Sequence, residues 1–89
     1  MLHLMMRNKD KMLRVEEVEV PEGSSLVGSR LADTGFRKMT ELLVIATREK
    51  NGEYKHNPGP DFVLRAGATL IVLAEIDDVI KLRLHLEES

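Results

Sequence analysis

A chain of 89 residues is one domain at most, and a domain that small leaves so much surface exposed that its core is marginal. Its residues are 43% apolar but only 3% aromatic, and the formal net charge is −2. It therefore lacks both the stacking side chains and the basic field with which proteins grip nucleic acids, and with no cysteine it has no disulfides, thiolate zinc sites or thiol nucleophiles, which suits a reducing, cytoplasmic setting.

The opening stretch "MLHLMMRNKDKM" has too short an apolar part for a signal-peptide core or a membrane span. It reads as a linker or fraying helix over residues 1–12, ahead of a domain over residues 13–89. In "LRVEEVEV", residues 13–20, valines alternate with charges as in a half-buried strand, and the slip at Glu16-Glu17 predicts a bulge there. "PEGSS" ends that strand. In "RLADTGFRKMT", Leu31, Phe36 and Met39 fall on one face of a short helix, although Gly35 in its middle costs roughly 1 kcal/mol relative to Ala.

"LLVIATR", residues 42–48, is a continuous, partly β-branched run of the kind buried on both faces of a sheet. Asn51-Gly52 then predicts a hairpin through a type I′ or closely related turn, because Asn and Gly tolerate positive φ, with a return strand over residues 53–57. Pro58 and Pro60 cannot donate to a ladder and interrupt the sheet. Residues 62–64 are a short extended piece, residues 65–68 a second turn, and "TLIVLAE", residues 69–75, a second fully buried strand. In "IDDVIKLRLHLEES" the alternation of Ile80, Leu82, Leu84 and Leu86 suits a strand. Straight-chain residues and a capping Asp77 or Asp78 favour a helix, which leaves some leucines off the core for a partner chain to cover. The expected fold is α+β: a small mixed or antiparallel sheet with a short helix after the first strand and a helix at the C-terminus.

The residues that carry chemistry are dispersed. His3, His56 and His85 have no metal-ligand spacing and read as solvated histidines. Glu75, Asp77 and Asp78 admit a calcium or acid/base reading, but helix capping explains them more simply. Glu16, Glu17 and Glu19 form an acidic strand face, either solvated or a divalent-cation site at a dimer edge. Arg30, Arg37, Lys38 and Arg48 gather around the short helix as a surface of charge or as an anion site. Gly23 and Gly28 make no phosphate-cradling pattern, and no Ser, His and Asp set suggests a triad. No catalytic or metal residue is assigned, and an enzyme is not expected.

Taken in order, these pieces resemble the TrkA-C domain, the C-terminal subdomain of regulator-of-potassium-conductance (RCK) proteins. The resemblance rests on Ser25, Leu26, Gly28 and Leu31 before the short helix, on Arg48 and Gly52 after the apolar strand, and on Asn57, Pro58, Pro60, Asp61, Leu64, Gly67 and Leu70 in "NPGPDFVLRAGATL". It departs from the family at turn positions: Ala68 stands for the usual Asp, Glu41 for a Gly before the central strand, and Ala74 or Glu75 for a closing Gly.

What the resemblance implies is a ligand-sensing regulatory domain of a potassium channel or of a potassium or cation transport system. Such a domain is cytoplasmic, associated with or part of a membrane protein, and acts as a homodimer that biases gating or transport. For several members the implied ligand is cyclic di-AMP in a cleft between subunits, and the matching stretch here runs over residues 33–42. Carried over residue by residue, the ligand-binding set is Asp33, Arg37, Lys38, Thr40 and Glu41, with Thr40, Glu41 or Leu42 where the family has Asn. A divalent cation is the other ligand to consider. The expected partners are a second copy and a channel or transporter subunit, with no nucleic acid. The alternative is a structural dimerisation module of a transporter that reads no small molecule.

Overall fold

The computed structural model describes the backbone of residues 5–8 and 11–88 and the side chains of residues 12–88. In chain order the elements are β1 (Met5–Asn8), β2 (Lys11–Glu19), a 3₁₀ turn (Leu31–Asp33), α1 (Phe36–Met39), β3 (Leu43–Arg48), β4 (Tyr54–His56), β5 (Thr69–Ala74) and α2 (Ile76–Glu88). The strands form one sheet in the order β1-β2-β5-β3-β4, and each neighbouring pair is antiparallel, so the sheet is not mixed. Met5–Asn8 is thus a strand paired with β2, not linker or fraying helix. The rest of that expected arm, residues 1–4 and 9–10 with His3 among them, lies outside the described residues.

Successive strand residues face opposite sides. Val18 of β2 and Leu70, Val72 and Ala74 of β5 therefore share one face, where they form the core with Phe36, Leu42, Leu64 and the Val79, Leu82 and Leu86 of α2. The ladder between β2 and β5 runs from Arg14 opposite Ala74 to Glu19 opposite Thr69 without a shift, so there is no bulge at Glu16-Glu17. The slip in the pattern marks a change of side: Leu13 and Val15 lie on the sheet face away from the core and Val18 and Val20 on the core face.

The bulge lies in β3 instead. Val44 opposes Val72 and Ala46 opposes Ile71, which leaves Ile45 as the extra residue. Its carbonyl accepts the N–H of Asn57 at 2.9 Å. β3 is not buried on both faces either, since Leu43 is 48% exposed at its start.

Between β3 and β4 the Gly52 N–H donates to Glu49 O at 2.8 Å and the Glu49 N–H to Glu53 O at 2.7 Å. Gly52 has φ of 93°, whereas Asn57 is the non-glycine residue with positive φ among those described. With Asn51 at ordinary φ the connection is a three-residue loop closed by a glycine bulge, not the type I′ turn, which needs positive φ twice. The extended piece around Val63 lies outside the sheet and bridges to Arg30, with Gly28 N–H to Leu64 O at 2.8 Å and Leu64 N–H to Ser29 O at 2.9 Å. The expected turn at Gly67 is present, with φ of 78°.

The C-terminal segment is helical, and its 3.6-residue period sorts the alternating apolar residues: Leu82 and Leu86 are buried while Ile80 and Leu84 are exposed. Asp77 and Asp78 stand in its first turn rather than at the cap, where their charge suits the helix dipole. The N–H groups of Asp78 and Val79 donate to Glu75 O at 3.0 and 3.1 Å. The predicted helix around Gly35 is divided by that residue, whose φ of 80° ends the 3₁₀ turn and opens α1, a conformation that glycine adopts without a Cβ penalty.

Candidate ligand cleft

Beside α1 the surface opens into a cleft of about 760 Å³ with three walls: residues 31–38, the start of β3 from Leu42 to Val44, and the loop of residues 57–60. Each wall is placed by a backbone device. Gly35 turns the first wall, and the Thr34 hydroxyl stiffens it by donating to Leu31 O at 2.8 Å. The Ala32 N–H donates to Pro60 O at 2.9 Å and ties the first wall to the third. The bulge at Ile45 holds Asn57, whose φ of 47° sends the chain into Pro58.

The cleft has an apolar floor and a cationic lip. Phe36, Leu42, Val44 and Pro58 line it, as do three charged residues, Asp33, Arg37 and Lys38. Asp33 is neutralised: Arg30 Nε donates to its Oδ2 at 2.9 Å, and Arg30 Nη1 reaches Asp61 Oδ1 at 2.8 Å. The guanidinium of Arg30 is held above its ordinary pKa by these carboxylates, Asp33 first. Arg37 and Lys38 are exposed and make no ion pair with a described residue. The unneutralised charge at the lip is therefore positive, suited to a phosphate or carboxylate.

Of the sequence-predicted ligand residues, Asp33, Arg37 and Lys38 line the cleft and Thr40 and Glu41 do not. Thr40 is buried, its hydroxyl donating to Phe36 O at 2.7 Å to close α1. Glu41 lies between α1 and α2, its N–H 3.4 Å from Asp78 Oδ2. The four basic residues expected together are dispersed, because Arg48 lies across the sheet, bonded to Glu17 at 2.9 Å, and Arg30 serves Asp33 and Asp61. Glu16 faces the opposite side of β2 from Glu17 and Glu19, so these three make no acidic face. Among the described residues no group of three or more His, Cys, Asp or Glu is placed to hold a metal ion. The wall of Pro58, Gly59 and Pro60 was legible in sequence only as an interruption, although its rigidity is what shapes the cleft. A shallower depression of about 570 Å³ between the hairpin loop and Phe62 mixes Lys50, Lys55 and Arg65 with Glu49 and Glu53.

An antiparallel sheet, a C-terminal helix across one face and a ligand-sized cleft built from connecting loops define a small regulatory domain of the RCK C-terminal type. The TrkA-C domain model matches residues 15–86, and the chain belongs to that family. No curated protein matches the chain. Among solved structures it is similar to the RCK_C domain dimer of BusR from S. agalactiae in complex with c-di-AMP, with a TM-score of 0.75 and 19% identity over 84% of this chain and 97% of that one. BusR in complex with its busAB-promotor DNA gives 0.75 and 19% over 82% of this chain and 35% of that one. The GsuK channel bound to NAD gives 0.72 and 19% over 86% of this chain and 14% of that one. At these identities the likeness is one of fold, and the chain spans a minor part of both longer proteins.

The BusR complexes with promoter DNA overturn the expectation of no nucleic-acid partner. That expectation came from the charge and aromatic content of one domain, and the matched part is 35% of that BusR chain. The composition of a domain does not limit what the rest of its protein contacts. Among the described residues no helix is long and apolar enough to cross a membrane.

Proposed function

We propose that the chain is a cytoplasmic ligand-sensing domain of a potassium channel or of a potassium or cation transport system. It works as a homodimer attached to or part of a membrane protein, with an anionic nucleotide of the cyclic di-AMP kind in the cleft. The observation that carries this reading is the pair of unpaired cations, Arg37 and Lys38, at the lip of an otherwise apolar cleft. Such a site pairs phosphates with the cations and a base with the apolar walls. Family membership and the c-di-AMP bound by the BusR domain support the choice of nucleotide. The mechanism is population shift: a ligand held better by one arrangement of the two copies favours it by its differential affinity.

The test is calorimetric titration of cyclic di-AMP and simple adenine nucleotides into the wild type and Arg37→Ala. The expected result is binding that Arg37→Ala weakens roughly ten- to a hundredfold, as for loss of a charge-assisted hydrogen bond, with an unchanged melting temperature. No heat and no thermal shift with any of them overturns the sensing role. It then leaves the structural dimerisation module, a reading that the exposed Ile80 and Leu84 of α2 favour.

A further inference from the structure

Helix α2 has two apolar edges. The inner one, Val79, Leu82 and Leu86, is buried in the core. The outer one is Ile76, Ile80 and Leu84, which are 39%, 48% and 48% exposed. A four-residue spacing sets these three in one line along the helix, on the side away from the core. Single exposed apolar residues need no explanation, but an unbroken row along a 13-residue helix is a contact surface.

We propose that this row is where a second copy of the chain docks, with the two α2 helices packed antiparallel across a two-fold axis at Ile80. The proposal rests on the homodimer above and names its surface.

Charge selects the occupant. Within α2, Asp77, Asp78, Glu87 and Glu88 outnumber Lys81 and Arg83, so the helix is repelled by anionic lipid and by phosphate backbones. The borders of the row are self-complementary. Asp77 and Lys81 lie on the same side of it, one turn apart, and Asp77 has no ion pair with a described residue. In the antiparallel pair Ile76 lies level with Leu84 of the other copy, Ile80 meets Ile80, and Asp77 falls within ~3 Å along the axis of the other copy's Lys81. A parallel pair instead sets Glu87, which lies seven residues beyond Ile80 and so on the same line, against its own copy.

Helices about 20 Å long with axes 8–10 Å apart bury less than the roughly 800 Å² per partner of a standard interface, so this contact is reversible and concentration-dependent. It is also coupled to the cleft. His85, on the same helix, bonds the Thr34 carbonyl beside Gly35, so the dimer surface and the first cleft wall are attached to one rigid element.

Because the natural chain has no cysteine, disulfide trapping reads the geometry directly. Ile80→Cys is expected to form a covalent dimer on mild oxidation, since its Cα lies close enough to its own copy for a disulfide. Ile76→Cys and Leu84→Cys are expected to cross-link when mixed and not alone. Ile80→Glu, at an exposed position, is expected to shift the sedimentation of the whole chain to monomer without lowering its melting temperature. Cross-linking of Ile76→Cys alone as efficiently as in the mixture overturns the antiparallel arrangement. A chain that sediments as a dimer while Ile80→Cys fails to cross-link overturns the surface and leaves the homodimer standing. A chain monomeric at several hundred micromolar overturns both.

Discussion

The imidazole Nε2 of His85 lies 2.7 Å from the carbonyl oxygen of Thr34, and the same ring meets Phe36 edge-on, with centroids 5.9 Å apart. A carbonyl only accepts, so Nε2 carries the proton. The contact joins the last turns of α2 to the corner where Gly35 turns the chain into the cleft wall. In sequence this histidine read as solvated; in the fold it is a clasp. His85→Ala is expected to cost roughly 1–2 kcal/mol, a hydrogen bond plus an aromatic contact, and to speed amide exchange at Gly35 and Phe36. His85→Gln, which keeps a donor, is expected to recover part of this. Urea unfolding and hydrogen exchange check it, and unchanged values for His85→Ala would show that the clasp holds nothing.

Glu17 and Arg48 set an acid limb on stability. From β3, Arg48 donates from Nη2 to Glu17 Oε1 at 2.9 Å and from Nη1 to Oε2 at 3.4 Å, while Tyr54 lies within 3.2 Å of Nη1. The Arg48 hydrogen bond is the main reason the Glu17 carboxyl titrates below its ordinary 4.5, against the opposing effect of desolvation. A depressed carboxylate pKa adds stability that is fully present above the unfolded value and lost as pH falls through the folded one. Glu17→Gln should therefore melt lower than wild type at neutral pH, and the two curves should converge as pH falls below 4.5. Melting temperatures across that range check it, and a gap that persists in acid would assign the loss to packing instead.

Thr47 is fully buried in β3, opposite Leu70, and its hydroxyl finds no hydrogen-bond partner among the described residues. A buried hydroxyl without a partner carries its desolvation cost uncompensated, on the order of 1–3 kcal/mol. Thr47→Val keeps the β-branched shape and removes the polar atom. It is expected to raise unfolding free energy by about 1 kcal/mol, and a lower midpoint in urea would show that the hydroxyl is satisfied in solution.

The features legible in the sequence were those with a local cause. Gly52, Gly67 and the two prolines mark real turns because φ and the missing N–H act within a few residues. The apolar run of β5 is central because nothing else in the chain is as continuous. Features that depend on a neighbour were not legible. A period of two cannot distinguish a bulge from a change of face, so Glu16-Glu17 drew the bulge that Ile45 actually makes, and only the pairing of β3 with β5 decides it. Arg30 and Arg48 seemed to join Arg37 and Lys38 because their partners, Asp61 and Glu17, lie 31 residues away in each case. Asp33, Arg37 and Lys38 reach the cleft because they share one short wall, while Thr40 and Glu41, further along it, turn towards α1 and α2.

Gly52 shows how much of the hairpin is backbone geometry. Its φ is 93° and a Cβ built there meets nothing within 4 Å, so a side chain at this position costs conformational strain and no clash. For a β-branched residue that strain is roughly 1–2 kcal/mol, whereas Asn, whose short polar side chain visits left-handed conformations routinely, should cost less. Asn51 has a separate part: its Oδ1 accepts the Glu53 N–H at 2.9 Å, and losing that exposed bond in Asn51→Ala is worth about 0.5–1 kcal/mol. The expected order of urea midpoints is wild type, then Gly52→Asn and Asn51→Ala, then Gly52→Val, with m-values unchanged because the native sheet stays intact. Equal losses for Gly52→Asn and Gly52→Val would show that positive φ is not what this glycine supplies.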